Sequence, residues 1–272
     1  FYKFQCNLLS MPIVTSALSH IFILLPGIII VYLLLRYDKF PEPKGLLITT
    51  ILLAFAGTTI FGTVKYDILR IHEWYPTYTD VELSGFNFYF LNFIDAYILV
   101  AFGEELVKYL VILLFCIRLK EFNEPLDGLI YGGMAGLGFA LEEAFAYIGS
   151  AISAVAAADP ASAEGTGELI STIMGRWTAI PAHVFFGIVM GSFFSYAIFN
   201  RVNKYLFLFL AIFIPTILHG TYDYILFVDL PNILFLFLYA GMLAWAVGLF
   251  VHYRGLQKLK SSEAEQKYNL NY

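Results

Sequence analysis

Long apolar runs separated by short polar breaks set the pattern of this chain. Seven of these runs approach or exceed the roughly twenty residues that a helix needs to cross the hydrocarbon core of a bilayer. They cover about residues 12–35, 45–64, 88–117, 128–156, 169–199, 205–227 and 232–251. Several are longer than a straight crossing requires, which predicts tilt, kinks or interfacial ends, with Pro181 and Pro215 as the kink points. The pattern therefore predicts an all-α integral membrane protein, a bundle of about seven transmembrane helices. It forms a single polytopic domain over residues 1–257, followed by a flexible polar tail over 258–272. Two connections exceed a turn. Residues 66–87 mix aromatic and charged side chains and are expected to lie in the membrane interface, and residues 157–167 are small, polar and expected to be mobile.

Composition strengthens this picture. Of 272 residues 60% are hydrophobic and only 14% charged, more apolar surface than a soluble domain of this size can hide. No basic cluster is interleaved with aromatics, so nucleic acid is not an expected partner; the lipid bilayer is. Cys6 and Cys116 provide no disulfide framework. Charge adds a direction. Arg36, Lys39 and Lys44 follow the first run, Arg118 and Lys120 the third, Arg201 and Lys204 the fifth, and Arg254, Lys258, Lys260 and Lys267 the seventh. The intervening loops carry Asp67, Glu73, Asp80 and Glu82, then Asp159, Glu164 and Glu168, then Asp229. This alternation predicts an N-terminus outside and a C-terminus in the cytoplasm. Lys65 and Arg70 are the exceptions, at the outer end of the second run.

Polar residues inside the apolar runs are the next anomaly. The stretch "AFGEELVKY" places Glu104, Glu105 and Lys108 within the third run, where each ionised group costs roughly 2.5–3.5 kcal/mol at a helix centre. The fourth run holds Glu142, Glu143 and Tyr147 beyond a stripe of Gly128, Gly132 and Gly136, whose spacing invites close helix contact. The fifth has His183, Gly187 and Gly191 on one face, and the sixth has His219 and Asp223 four residues apart. Glu104 lies 14 residues from Arg118, Glu143 lies 16 from Asp127, His183 lies 17 from Asn200 and His219 lies 16 from Asn203. At about 1.5 Å per residue, all four sit roughly 21–26 Å from the same flank, in one layer.

Residue types then suggest the chemistry. Two imidazoles and a carboxylate on separate helices make a zinc set, and a further carboxylate can deprotonate a bound water. Without metal, a carboxylate beside a histidine can still activate water, with the second histidine and Asp223 binding the oxyanion. Both routes lead to hydrolysis. Neither HExxH nor GxSxG occurs. A proton- or cation-coupled transporter with a buried Glu/His relay is the alternative class, although no internal repeat or pair of broken helices is visible. Blander readings stand beside these. Glu104 and Lys108 can form a packing ion pair, Glu142 points about 100° away from Glu143, and Arg176 can either bind a carbonyl or carboxylate or pair with an acidic loop. His20, His72 and His252 lie at run ends or in a loop and read as interfacial.

These motifs resemble the PrsW family of intramembrane proteases, relatives of the CAAX prenyl protease (CPBP) group. Glu104-Glu105-Leu106-Val107-Lys108 matches its EExxK, Glu143 with Tyr147 its second motif, His183 in "HVFFGIVMG" its third, and His219 with Asp223 in "HGTYD" its fourth. Ala144 stands where the family usually has asparagine. The resemblance covers about residues 31–228 and implies a membrane-embedded endopeptidase whose substrate is a transmembrane protein. Some members make the outer-side cut in membrane-anchored anti-sigma factors, so the resemblance also implies the prokaryotic cytoplasmic membrane as the expected location. On this footing the catalytic core spans about 88–228. Glu104 or Glu105 is expected as general base, Glu143, His183 and His219 as zinc ligands, Asp223 as the group orienting His219, and Lys108 as the cation neutralising one glutamate.

Overall fold

The computed structural model describes residues 22–68, 85–157, 164–200 and 203–269. Among these there is no strand, and seven helical units follow one another. They are α1 (Phe22–Arg36), α2 (Lys44–Thr63, with a π-helical end Val64–Ile68), α3 (85–114), α4 (Pro125–Ala157), α5 (Glu164–Phe199), α6 (Lys204–Phe227) and α7 (Asn232–Asn269). Helices α2, α5, α6 and α7 contain segments long and apolar enough to cross a membrane. Residues 12–21 of the first expected span, most of the 66–87 connection and residues 158–163 lie outside the described residues.

The pair α4 and α5 forms the centre. In α5 78% of the apolar window is buried, against 11% in α7, so α5 is the pillar and α7 lies at the edge. Glycine sets their distance. A Cβ at Gly132 would overlap the carbonyl oxygen of Gly187, and one at Gly128 or Gly136 would overlap the carbonyl of Gly191 or His183. Backbone therefore meets backbone along three successive turns of α4, as the small-residue stripe predicts. Pro181 and Pro215 each lie within a continuous helix. α3 is less regular. Its first segment, Gly85–Ile94, passes through a π-helical stretch, Asp95–Phe102, before α-helix resumes at Gly103–Leu114. Wide turns of this kind concentrate at functional sites. α7 stays helical past the end of its apolar span, through a polar stretch rich in helix-forming Glu, Ala, Gln and Lys.

One end of the bundle collects the basic loops. Tyr253 Oη donates to the Ser192 carbonyl at 3.2 Å, Ser195 Oγ donates to the Pro125 carbonyl at 2.6 Å, and the Phe122 and Phe199 rings stack 5.8 Å apart. Gln257 Nε2 donates to Asp38 Oδ1 at 2.8 Å and to Glu124 Oε1. The α1–α2 loop, the α3–α4 loop, the end of α5 and the later part of α7 thus meet at one end, as the charge pattern groups them. α4 starts with Pro125 at its first position, and Asp127 reaches back to accept the N–H groups of Asn123 and Glu124 at 2.7 and 2.8 Å, half of a capping box. Burial without a cationic partner pushes the Asp127 carboxyl up to about 8, and burial likewise raises that of Glu42, which accepts a 2.6 Å hydrogen bond from Tyr131.

Candidate active site

Four helices bring the polar layer together. Lys108, fully buried on α3, donates from Nζ to Glu105 Oε1 at 2.6 Å and to His183 Nδ1 at 3.1 Å. An ammonium has only donors, so Nδ1 of His183 accepts, and its Nε2–H donates to Glu143 Oε2 at 2.8 Å. On the other side, His219 Nδ1–H donates to Glu105 Oε1 at 2.8 Å. Its Nε2 then faces Asp223 Oδ2 at 3.2 Å and Glu104 Oε2 at 3.7 Å. A continuous polar chain therefore runs from α4 through α5 and α3 to α6. Aromatic walls hold it. Phe139 lies 4.4 Å from the Lys108 ammonium, and Phe186 stacks on His219 with ring centroids 4.9 Å apart.

All seven residues singled out from the sequence belong to this assembly, but their positions differ in kind. Glu105 engages Lys108 and His219 through Oε1 and does not line the cavity of about 250 Å³, whereas Glu104 lines it together with Glu143, Arg176, His183, His219 and Asp223. Glu105 is the carboxylate on His219 Nδ1, and Asp223 stands on the Nε2 side. Glu143 contacts His183 directly, while Glu142 turns to α2, where Thr59 Oγ1 donates to it at 3.2 Å.

Two residues join the site that sequence reasoning left outside it. Arg176 Nη1 lies 2.7 Å from Glu143 Oε2, and its guanidinium sits 4.2 Å over the Tyr147 ring. Lys65, the exception in the charge pattern, is buried and lines the same cavity. That exception was the available signal for Lys65. Arg176 carried a weaker signal, because an arginine seven residues before His183 lies outside the polar layer and reads equally well as a ligand for a carbonyl or carboxylate and as a loop partner.

A metal centre can be tested on these atoms. Glu104, His183 and His219 offer ligand atoms within 4.8 Å of one another. Glu104 Oε2 and Asp223 Oδ2 are buried with no hydrogen-bond partner, and His219 Nε2 keeps a lone pair when Nδ1 carries the proton. At His183, Nε2 would be free for a metal with the ring proton on Nδ1 and Lys108 accepting it as the neutral amine, and the Nε2 lone pair would then stand 2.8 Å from Glu143 Oε2. Two imidazole nitrogens with carboxylate oxygens are a donor set that zinc accepts, so the residues fit a metal.

Among the described residues, helices long and apolar enough to cross a membrane surround a carboxylate–imidazole cluster, which places the protein in the class of helical proteins with a polar centre between apolar helices. The particular family follows from comparison. Residues 42–251 match the model of the PrsW family intramembrane metalloprotease, and the chain belongs to this family. It is 33% identical over 156 residues to the protein named protease PrsW of Clostridioides difficile (strain 630), covering 57% of this chain and 60% of that one. To protease PrsW of Halalkalibacterium halodurans it is 29% identical over 157 residues, 57% of this chain and 65% of that one. To protease PrsW of Oceanobacillus iheyensis it is 28% identical over 215 residues, 78% of this chain and 84% of that one. The chain thus spans less than two thirds of the first two relatives. No solved structure matches it. The transporter alternative gains nothing from these comparisons.

Proposed function

We propose that this protein is an intramembrane endopeptidase that hydrolyses a peptide bond in or near the transmembrane segment of a single-spanning protein. Family membership supports the reaction type, and the observation that carries the reading is the free Glu104 carboxylate oxygen beside His183 and His219 in a cavity. Glu104, His183 and His219 are the residues that would hold a metal, zinc by donor type, with Glu143 adjacent to the His183 nitrogen. A bound zinc ion supplies a water of lowered pKa at neutral pH.

The chain's own residues do the rest. Glu105 fixes the His219 tautomer through Nδ1 and leaves Nε2 facing the cavity. Lys108 neutralises Glu105 and holds the His183 ring through Nδ1. Asp223 Oδ2, lacking any donor, is the carboxylate placed to accept the proton that the attacking water sheds and to return it to the leaving amine. In a metal-free reaction Glu104 takes that part. Phe139 and Phe186 keep bulk water from the chain of charges.

The charge pattern supports an N-terminus outside and a C-terminus in the cytoplasm, with the cavity toward the outer leaflet, and family membership supports a prokaryotic cytoplasmic membrane. A membrane-anchored regulator such as an anti-sigma factor, cut on its outer side, fits that placement. The test is cleavage of a single-spanning peptide by purified protein in proteoliposomes, with metal content measured on the same preparation. Glu104→Gln and His183→Ala are each expected to abolish cleavage while the protein stays folded, and His219→Ala to lower bound metal from about one per chain. Cleavage retained by either of the first two variants overturns the site.

A further inference from the structure

We propose that Arg176 is the residue that grips the backbone of the bound substrate, its guanidinium donating to a peptide carbonyl beside the bond that is cut. The proposal rests on the hydrolytic reading above and deepens it by naming a positioning contact. Arg176 lines the cavity that also holds Glu104, His183, His219 and Asp223. It shares one oxygen, Glu143 Oε2, with His183, which anchors it beside the chemistry. The Tyr147 ring beneath it, 4.2 Å from Cζ, restricts the plane of the fork.

A guanidinium carries five N–H donors, and Glu143 is the one acceptor that the described residues give it. Its side chain is 16% exposed and forms part of the cavity wall, so it is within reach of a ligand that enters the cavity. Lys108 cannot play this part, because it is buried and spent on Glu105 and His183.

The substrate creates the need. A transmembrane helix must unwind locally before one of its peptide bonds can be attacked, and unwinding frees carbonyl oxygens where no bulk water compensates them. A cationic donor fixed in the wall meets that demand. A neutral carbonyl is favoured over a carboxylate, because Glu143 already balances Arg176 and a further anion would face Glu104 and Asp223. Recognition by backbone alone also predicts that the contact is indifferent to side-chain sequence.

The experiment uses full-length protein in nanodiscs and a fluorescein-labelled leucine–alanine transmembrane peptide with a central Gly-Gly break. In a companion series, one central amide at a time is replaced by an ester, whose carbonyl is a weaker acceptor. Affinities are measured in the Glu104→Gln background, with Arg176 intact and with Arg176→Lys, and Arg176→Gln serves if the lysine variant melts early. With Arg176 intact, one ester position is expected to weaken binding about fivefold, and with Arg176→Lys the same ester changes it less than about twofold. Equal losses in both proteins, no sensitive position, or no binding of the peptide at all overturns the proposal. Cleavage of the same peptide by protein with Glu104 restored separates the two readings. Coupling without cleavage removes the hydrolase and keeps the grip, whereas cleavage without coupling does the reverse.

Discussion

Lys108 shows how a single residue decides whether the centre can exist. Its ammonium is fully buried, and its position is justified only because Glu105, His183 and the Phe139 face receive it. Lys108→Met removes the cation and strands the Glu105 carboxylate, a loss on the order of 3–5 kcal/mol for half of a buried pair. Thermal unfolding in detergent is expected to show a clearly lowered midpoint. Adding Glu105→Gln should restore most of the stability, since the orphaned charge is gone, while leaving cleavage absent. An unchanged midpoint in the single variant would mean that the pair contributes nothing. At this scale the sequence was informative about depth and silent about direction. Rise per residue is fixed, so counting along four helices brings Glu104, Glu143, His183 and His219 to one layer. Which oxygen faces which nitrogen depends on how the helices rotate and approach, and that is why Glu105, not Asp223, holds His219 Nδ1.

At the scale of elements, the contact between α4 and α5 does the positioning, because it places Glu143 against His183. The glycine spacing was legible in the sequence, and so was its consequence. The π-helical stretch ahead of Glu104 was not, since a widened turn follows from packing of α3 on its neighbours and leaves no compositional mark. The seam makes a sharp comparison within one helix. An alanine at Gly132 has no room against the Gly187 backbone, whereas nothing lies within 4 Å of a Cβ at Gly149. Gly132→Ala is expected to cost about 1–3 kcal/mol or more, because backbone must move to admit it. Gly149→Ala should be neutral or stabilising by up to about 1 kcal/mol through helix propensity. Melting midpoints of the two variants, run side by side, decide the matter, and equal behaviour would show that α4 and α5 do not meet there.

At the scale of the whole molecule, the two ends of the bundle have different electrostatic designs. The polar centre balances Glu105 with Lys108 and Glu143 with Arg176, while the basic end buries Glu42 and Asp127 close to Glu124 and Asp38, joined by Tyr131 and Gln257. The second design ties the α1–α2 loop, the start of α4 and the later part of α7 together, and it favours protonated carboxyls. Asp127 has a folded-state pKa of about 8 against an unfolded value of about 4. Between these values the folded chain holds a proton that the unfolded chain has released, so stability falls as pH rises through the window. Below about pH 4 the contribution is complete, and above about pH 8 the penalty is fully incurred. Glu42 shifts in the same direction. Asp127→Asn keeps an oxygen to accept the Asn123 and Glu124 N–H groups while removing the titration. The expected result is a difference in melting midpoint, variant minus parent, that grows in favour of the asparagine between pH 5 and pH 9. A difference that stays constant across that range would mean that Asp127 does not titrate within it, and that the latch at the basic end depends on its hydrogen bonds alone.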